Sequence, residues 1–351
     1  MKRLLTIILC FCMIFALAAC GKDGADGVDG KDGITPTVEI SDDGYWVING
    51  IKTEHKAVAE GGTSTTENPQ GLEFYIKDDG TYAVGVGNAK YLSKIVIPST
   101  YLGKAVTAIA YDGFNGCEFL YEIVIPDSIT SIGSGAFANC PCLDSVYITD
   151  IAKWCGISFT NYSSNPLSNA KNLYLNGELV TNLVIPEGVT SIGNYAFSYC
   201  SSLASVTIPD SVTTIGDYTF SGCSSLASVT IPDSVTSIDN YAFYYCTNLT
   251  SVSIGSGVAT IGSSAFESCT NLTSVTIPDS VTSIGDRAFL YCSNLANVII
   301  GSGVTTLGGN SFFFCSITTI NYRGTEAQWN AISKDDNWIS GHYTVVYNYQ
   351  D

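Results

Sequence analysis

Cysteine recurs at 200, 223, 246, 269, 292 and 315, five successive steps of 23 residues, and Cys117 and Cys140 are another 23 apart. A phenylalanine stands three residues before each of them: Phe114, Phe137, Phe197, Phe220, Phe243, Phe266, Phe289 and Phe312. A fixed period of this length marks a chain that folds as a row of similar units, each leaning on the next. One unit runs Leu203-Ala-Ser-Val206-Thr-Ile208-Pro209-Asp-Ser-Val212-Thr-Thr-Ile215-Gly216-Asp-Tyr-Thr-Phe220-Ser-Gly-Cys223. Its apolar positions are Leu, Val, Ile, Val, Ile, Phe and Cys.

Local spacing assigns a shape to each part of the unit. Val206-Thr207-Ile208 alternates with period two, which is strand. Pro209 ends that strand because it has no N–H to give a ladder. Asp210-Ser211 is turn chemistry. Val212 and Ile215 bound a second short extended piece, closed by Gly216, and the three-residue step from Phe220 to Cys223 fits a single helical or 3₁₀ turn facing inward. Seven apolar side chains cannot offset the entropy of ordering 23 residues, so a lone unit does not fold and neighbours must add burial and strand pairing.

The fold expected is therefore a repeat solenoid: a right-handed stack of coils with a parallel β-sheet and short 3₁₀ or helical turns. Nine coils fill residues 92–316, the first lengthened at 99–105 and the third expanded by an insertion at about 149–179. Two coils replace the proline turn with Gly-Ser-Gly, at Gly255–Gly257 and Gly301–Gly303. A stack needs closed ends. Residues 72–91 predict a β-hairpin cap turning at Asp79-Gly80. Residues 317–351 predict a helix-strand cap, with Thr325 and Gln328 as a capping box, Trp329 and Ile332 facing inward, and a last strand at 343–347. Within the insertion, Thr149–Trp154 parallels Thr325–Trp329, and Asn176-Gly177 predicts a second hairpin.

The unit Leu-x-x-Val-x-Ile-Pro-x-x-Val-x-x-Ile-Gly-x-x-Ala-Phe-x-x-Cys resembles the BspA-like leucine-rich repeat of bacterial surface proteins, over residues 92–316. The resemblance implies a leucine-rich-repeat solenoid on a cell surface. It also implies the class of role described for that family: adhesion to host matrix or plasma proteins, or other cell-surface interaction. A fold of this kind does not by itself assign that role to this chain.

The N-terminus has its own signals. Met1-Lys2-Arg3 is followed by an apolar run from Leu4 to Ala19, too short and too early for a spanning helix. The run ends Leu17-Ala18-Ala19-Cys20-Gly21, which resembles the lipobox of bacterial lipoproteins. That resemblance implies a signal peptide at 1–19 that is removed, and a Cys20 that carries the lipid (palmitate-type acyl chains), holding the protein outside the cytoplasmic membrane. Residues 20–36 carry glycine every third position without enough length or proline for a triple helix, and are expected to be a stalk. A small β meander is expected at 37–60, with Asn49-Gly50 as a turn, and a linker at 61–71.

Charge narrows the partners. Losing Lys2 and Arg3 takes the formal charge from −17 to about −19, and no Lys or Arg stands between Lys171 and Arg287. Such a surface repels phosphates, so nucleic acid is excluded, and the membrane is met through the N-terminal lipid alone. The chain has two histidines, His55 and His342, one near each end, which offers no Ser-His-Asp or Cys-His arrangement. No enzyme, cofactor or metal is expected. Ten cysteines beyond Cys20 leave three readings open: buried thiols, disulfides, or a metal ladder. Cys142 and Cys155 lie off the column. The aspartates after proline (Asp127, Asp210, Asp233, Asp279) are either turn formers or a calcium column.

The outward columns carry the candidate binding residues. Tyr195, Tyr218 and Tyr241 form one, Tyr199, Tyr245 and Tyr291 another, with Tyr244 beside them. Tyrosine offers large amphipathic contact area at low entropic cost. These residues are a candidate protein- or glycan-contacting ridge, or else they cover core edges. The strand face, lined with Ser and Thr, is flat and hydroxyl-rich. Three functions follow: a surface binding protein, adhesin-like, for a host or neighbouring-cell protein; a non-catalytic envelope scaffold or spacer; and a carbohydrate-binding surface module.

Overall fold

The structure is a computed structural model that describes residues 68 and 70–350, with the backbone of three strands nearer the N-terminus. The signal segment, Cys20 and the glycine-rich stretch lie outside the described residues. The three strands, Val38–Ile40, Tyr45–Ile48 and Ile51–Lys56, pair antiparallel in sequence order. Ile48 pairs with Ile51 in the second ladder, and the Asn49-Gly50 dipeptide lies outside the described residues.

The rest is a parallel β-solenoid of about twelve turns. Its front row begins with strands Lys94–Val96, Glu122–Val124, Ser145–Ile148 and Asn172–Leu175. It resumes at Asn182–Val184 and continues once per coil to Thr319–Tyr322 and Thr344–Val346. The 23-residue period is itself the pairing register: Ser205 lies against Ser228, and Ser228 against Ser251. A back row of two-residue strands, such as Thr214–Ile215, Ser237–Ile238 and Thr260–Ile261, runs parallel to it.

The third side of each coil is a run of turns. The i→i+3 bonds that the Phe–Cys spacing predicts are present, as in Cys200 N–H to Phe197 O at 3.1 Å. They do not run on into a helix. Alternate N–H groups leave the coil instead: those of Tyr195, Phe197 and Tyr199 donate to the carbonyls of Asp217, Thr219 and Ser221 in the next coil. The backbone must twist to aim them along the stack, and it does so at two left-handed positions per coil. Tyr195 has φ 64° and Tyr199 has φ 62°, and the same two columns are left-handed from Asp112 and Gly116 to Asn310 and Phe314.

Inside, the phenylalanines stack face to face. Rings run from Phe197 through Phe220, Phe243, Phe266 and Phe289 to Phe312, with centroids 4.9–5.6 Å apart. Trp338 ends the stack by meeting Phe312 edge-on, at 6.1 Å and 89°. The column cysteines and Cys155 are unbonded thiols. Each of Cys140, Cys223, Cys246, Cys269, Cys292 and Cys315 donates its S–H to the carbonyl of the phenylalanine one coil back, for example Cys223 Sγ to Phe197 O at 3.2 Å. Cysteine thus fills the volume of a small apolar side chain and also occupies a lone pair that would otherwise be buried.

Burial pushes the thiols from Cys200 to Cys315 away from reactivity. Cys200 rises to about 11 and Cys315 to about 12, while Cys223, Cys246, Cys269 and Cys292 are held well above the ordinary thiol range. Only the thiolate attacks an electrophile. A maleimide is expected to leave these last four unmodified in native protein and to modify all four in denaturant, read by mass spectrometry. Native labelling at the rate of a free thiol would mean that the column is open.

The stack holds more turns than the nine read from the repeat, because some strands lack the Phe–Cys mark. The expanded coil contributes two front strands. After Ser145–Ile148 comes helix α1, Ile151–Cys155, capped by the Asp150 carboxylate on Lys153 N–H. A back strand, Ser158–Phe159, and helix α2, Leu167–Ala170, then lead into Asn172–Leu175. There the chain turns back at Asn176-Gly177, both left-handed, into Glu178–Leu179, antiparallel to the strand before it. The C-terminal segment adds strands Thr319–Tyr322 and Thr344–Val346 around helix α3, Glu326–Ala331, whose capping box pairs Thr325 with Gln328. α1 and α3 each take the place of a proline arc, and each buries a tryptophan, Trp154 and Trp329.

Both rows are interrupted at the hairpin: no strand ladder joins Glu178–Leu179 to Asn182–Val184, or Ser158–Phe159 to Ser191–Ile192. A few hydrogen bonds cross the break, centred on Trp154, Cys155 and Asn165. Trp154 Nε1–H donates to Ala196 O (2.8 Å), Asn165 Nδ2 to Tyr195 O (2.6 Å), and Gly193 N–H to Cys155 O (3.0 Å). The apolar core passes through without a gap. At the N-terminal end the hairpin Glu73–Ile76 and Tyr82–Gly85 starts the back row. The front row's open edge is occupied by the Gln70 amide, which accepts from Val96 N–H (3.0 Å) and donates to Lys94 O (3.3 Å), so the first strand is not a free template.

Candidate functional site

The two tyrosine columns have different surroundings. Tyr195, Tyr218 and Tyr241 are half-buried and stack in parallel, at 5.0 and 4.4 Å between centroids. Their faces are covered by one another, and burial pushes the Tyr218 phenol up to about 12. Tyr199, Tyr245 and Tyr291 stand further out, at 39, 52 and 48% exposure. Phe314 continues that column at 51% exposure, stacked on Tyr291 at 5.0 Å. Tyr244 is half-buried between the columns, meeting Tyr241 at 5.8 Å and Tyr245 at 6.0 Å.

All of these except Tyr244 sit at left-handed backbone, between φ 56° and 64°. The Cβ of an L-residue is crowded there, and a bulky side chain at such a position is uncommon. The same columns elsewhere hold Gly116, Gly135, Gly222, Asn139, Asn310 and Asp112, residue types that accept this conformation at least cost, together with Ser264, Ser268 and Arg287. The Tyr199 ring lies against Gly222, where a Cβ would come within 2.8 Å of it. For the inner column, ring stacking accounts for tyrosine at a strained position. In the outer column Tyr291 and Phe314 stack in the same way, whereas Tyr199 and Tyr245 have Gly222 and Ser268 as their column neighbours and no ring of their own column to stack on.

Phe314 extends the outer column beyond the residues read from sequence, and its signal was the 23-residue step from Tyr291. A second aromatic surface also escaped that reading. On the front face, Val96, Val124, Tyr147 and Tyr174 align outward, where later coils carry Thr207, Thr230, Ser253 and Thr276. Tyr147 and Tyr174 stack at 4.7 Å, and Lys94 lies 5.5 Å from the Tyr147 ring while paired to Glu122 at 2.9 Å. At the N-terminal cap a shallow cleft of about 300 Å³ is lined by Tyr75, Tyr111, Glu73 and Asp112.

The aspartates after proline pin coils together. Asp233 and Asp279 accept the backbone N–H of Ser256 and Ser302 at 2.6 and 2.7 Å, and Asp127 accepts the Thr149 hydroxyl. Among the described residues no three His, Cys, Asp or Glu side chains are grouped to hold a metal ion. His342 lies exposed near the C-terminal strand, and His55 is in the N-terminal meander.

The BspA type leucine rich repeat region matches this chain in six copies, over residues 87–171, 168–289 and 214–333. The chain belongs to that family. Solved structures that resemble this BspA-type protein include a leucine rich cell surface protein from Faecalibacterium prausnitzii, 26% identical, covering 76% of this chain and 97% of its own, with a TM-score of 0.33. A leucine-rich repeat protein from Eubacterium ventriosum is 20% identical over 80% of this chain and 94% of its own, with a TM-score of 0.45. The T. pallidum leucine rich repeat protein is 23% identical over 76% and 96%, with a TM-score of 0.34. No curated protein matches the BspA-type chain.

Proposed function

We propose that this BspA-type protein is a non-catalytic, adhesin-like binding protein, lipid-anchored at Cys20 outside the cytoplasmic membrane. It recognises a host or neighbouring-cell protein through the outer aromatic column of its turns. The carrying observation is the exposed, strained column itself. Holding Tyr199, Tyr245, Tyr291 and Phe314 at positive φ costs stability that glycine would not; Tyr291 and Phe314 offset part of it by stacking, while Tyr199 and Tyr245 have no such partner in their column. Large rings kept there serve contact outside the chain. Tyr195, Tyr218 and Tyr241 act beneath them as a stacked support.

The two parts of this reading have separate tests. The triple variant Tyr199→Gly, Tyr245→Gly, Tyr291→Gly relieves strained backbone while removing the rings. Each change is expected to shift stability by less than about 1 kcal/mol. Binding to purified matrix and plasma proteins is expected to fall at least about tenfold, in line with tyrosine hot spots. Unchanged binding, or a loss of stability of several kcal/mol, would make these rings packing elements. A glycan array in parallel separates carbohydrate from protein partners. For the anchor, Cys20→Ser is expected to abolish incorporation of an alkynyl fatty acid in the producing cell; incorporation that persists rejects the anchor alone.

A further inference from the structure

We infer that the aromatic ridge between Tyr195 and Ser268 takes a lysine- or arginine-rich polypeptide segment. This rests on the ridge being a contact surface, and adds the chemistry of its partner. Residues 172–286 contain nine carboxylates and no lysine or arginine. Three of those carboxylates share the arcs that carry the rings. Asp217 precedes Tyr218, Asp239 lies two residues before Tyr241, and Glu267 adjoins Ser268 in the outer column.

All three are half-buried, and among the described residues none lies within ion-pair distance of a cationic group. Their fields reach the phenols: Asp217 helps raise Tyr195 and Tyr218, and Glu267 helps raise Tyr244, each beside the larger effect of burial. Asp217 already holds the next coil through Asn240 N–H at 2.9 Å, whereas among the described residues no hydrogen bond engages the Glu267 side chain. Partly desolvated carboxylates with no cation of their own attract one, and the exposed faces of Tyr199 and Tyr245 favour an ammonium or guanidinium over a neutral group. A guanidinium suits both at once, since it is planar, always charged and weakly hydrated. Arg287, the first cation beyond this stretch, is exposed in the inner column two coils past Tyr241 and bounds the acidic zone.

The test is titration of the full chain with an oligoarginine peptide, with an oligoglutamate and a Gly-Ser peptide as controls. Oligoarginine alone is expected to bind, more weakly as salt is raised. Tyr245→Ala and Glu267→Gln are each expected to weaken it about three- to tenfold with the melting temperature unchanged. Absence of oligoarginine binding at low salt overturns the inference. So does binding that both variants leave intact, because diffuse negative charge would then hold the peptide without the ridge. A neutral protein ligand that loses affinity in Tyr245→Ala but not in Glu267→Gln would keep the ridge as a contact surface and overturn this inference alone.

Discussion

Trp154→Ala is expected to split the thermal unfolding of the solenoid into two transitions. Trp154 is buried, packs edge-on against Phe159 at 5.4 Å, and sends its N–H across the break in both strand rows to Ala196 O. Removing it costs about 3–5 kcal/mol, as for other large buried aromatic side chains. In a linear array that loss falls on a single interface and is not shared along the stack. Elsewhere the coils are joined by two strand ladders, a run of turn bonds and the phenylalanine stack; here, a few hydrogen bonds and the apolar core join them. The variant's residues 182–346 should keep their melting behaviour while the shorter N-terminal part melts earlier, resolved by calorimetry and by hydrogen exchange on each side. One cooperative transition moved bodily downward would show that the break does not divide the molecule energetically.

Gly257→Ser is expected to destabilise the protein by about 2–4 kcal/mol although it restores the residue found at that position in neighbouring coils, because overpacking against main chain cannot relax. Ser211, Ser234 and Ser280 occupy the equivalent place after proline. At Gly257, however, a Cβ would lie 1.9 Å from the Asp233 carbonyl oxygen, and at Gly255 2.4 Å from that of Pro232. Gly303 stands in the same relation to Asp279, also at 1.9 Å. Each Gly-Ser-Gly arc nests into the Pro-Asp-Ser arc before it, and the Asp side chain there accepts the central N–H. The nested arcs have no room for a side chain between them. Chemical denaturation of Gly257→Ser and Gly303→Ser measures the effect; a change below about 0.5 kcal/mol, the range of ordinary surface substitutions, would mean that the arcs separate freely.

Side-chain periodicity carried the core into view: the Phe and Cys columns, the strand that Pro209 ends, the Asp79-Gly80 hairpin and the Thr325–Gln328 capping box are all read from residue spacing. Three things were hidden. The extra turns were missed because Asn172–Leu175, Thr319–Tyr322 and Thr344–Val346 pair in the front row without the repeat's Pro, Phe or Cys. The left-handed columns were missed because apolar spacing reports burial, not φ. Their sign was nonetheless present as Gly116, Asn139 and Gly222 at the register of Tyr199 and Tyr245, and Gly135 and Asn310 at that of Tyr195. The division of the tyrosines into a stacked column and a solvent-facing one depends on how much of each ring its neighbours cover, which no single coil encodes.

The side-chain bonds that replace surface charge in this stack share one offset. Asn194 Oδ1 accepts Asp217 N–H, Asp217 accepts Asn240 N–H, and Asn240 accepts Ser263 N–H, each 23 residues on, while Thr213 and Thr236 donate to carbonyls 23 residues back. Excising any one such length within 203–294 would therefore rejoin every donor to an equivalent acceptor and leave a shorter molecule with one rung fewer. Duplicating the same length would add one. Reach can thus be traded in whole rungs without the folding problem being solved again.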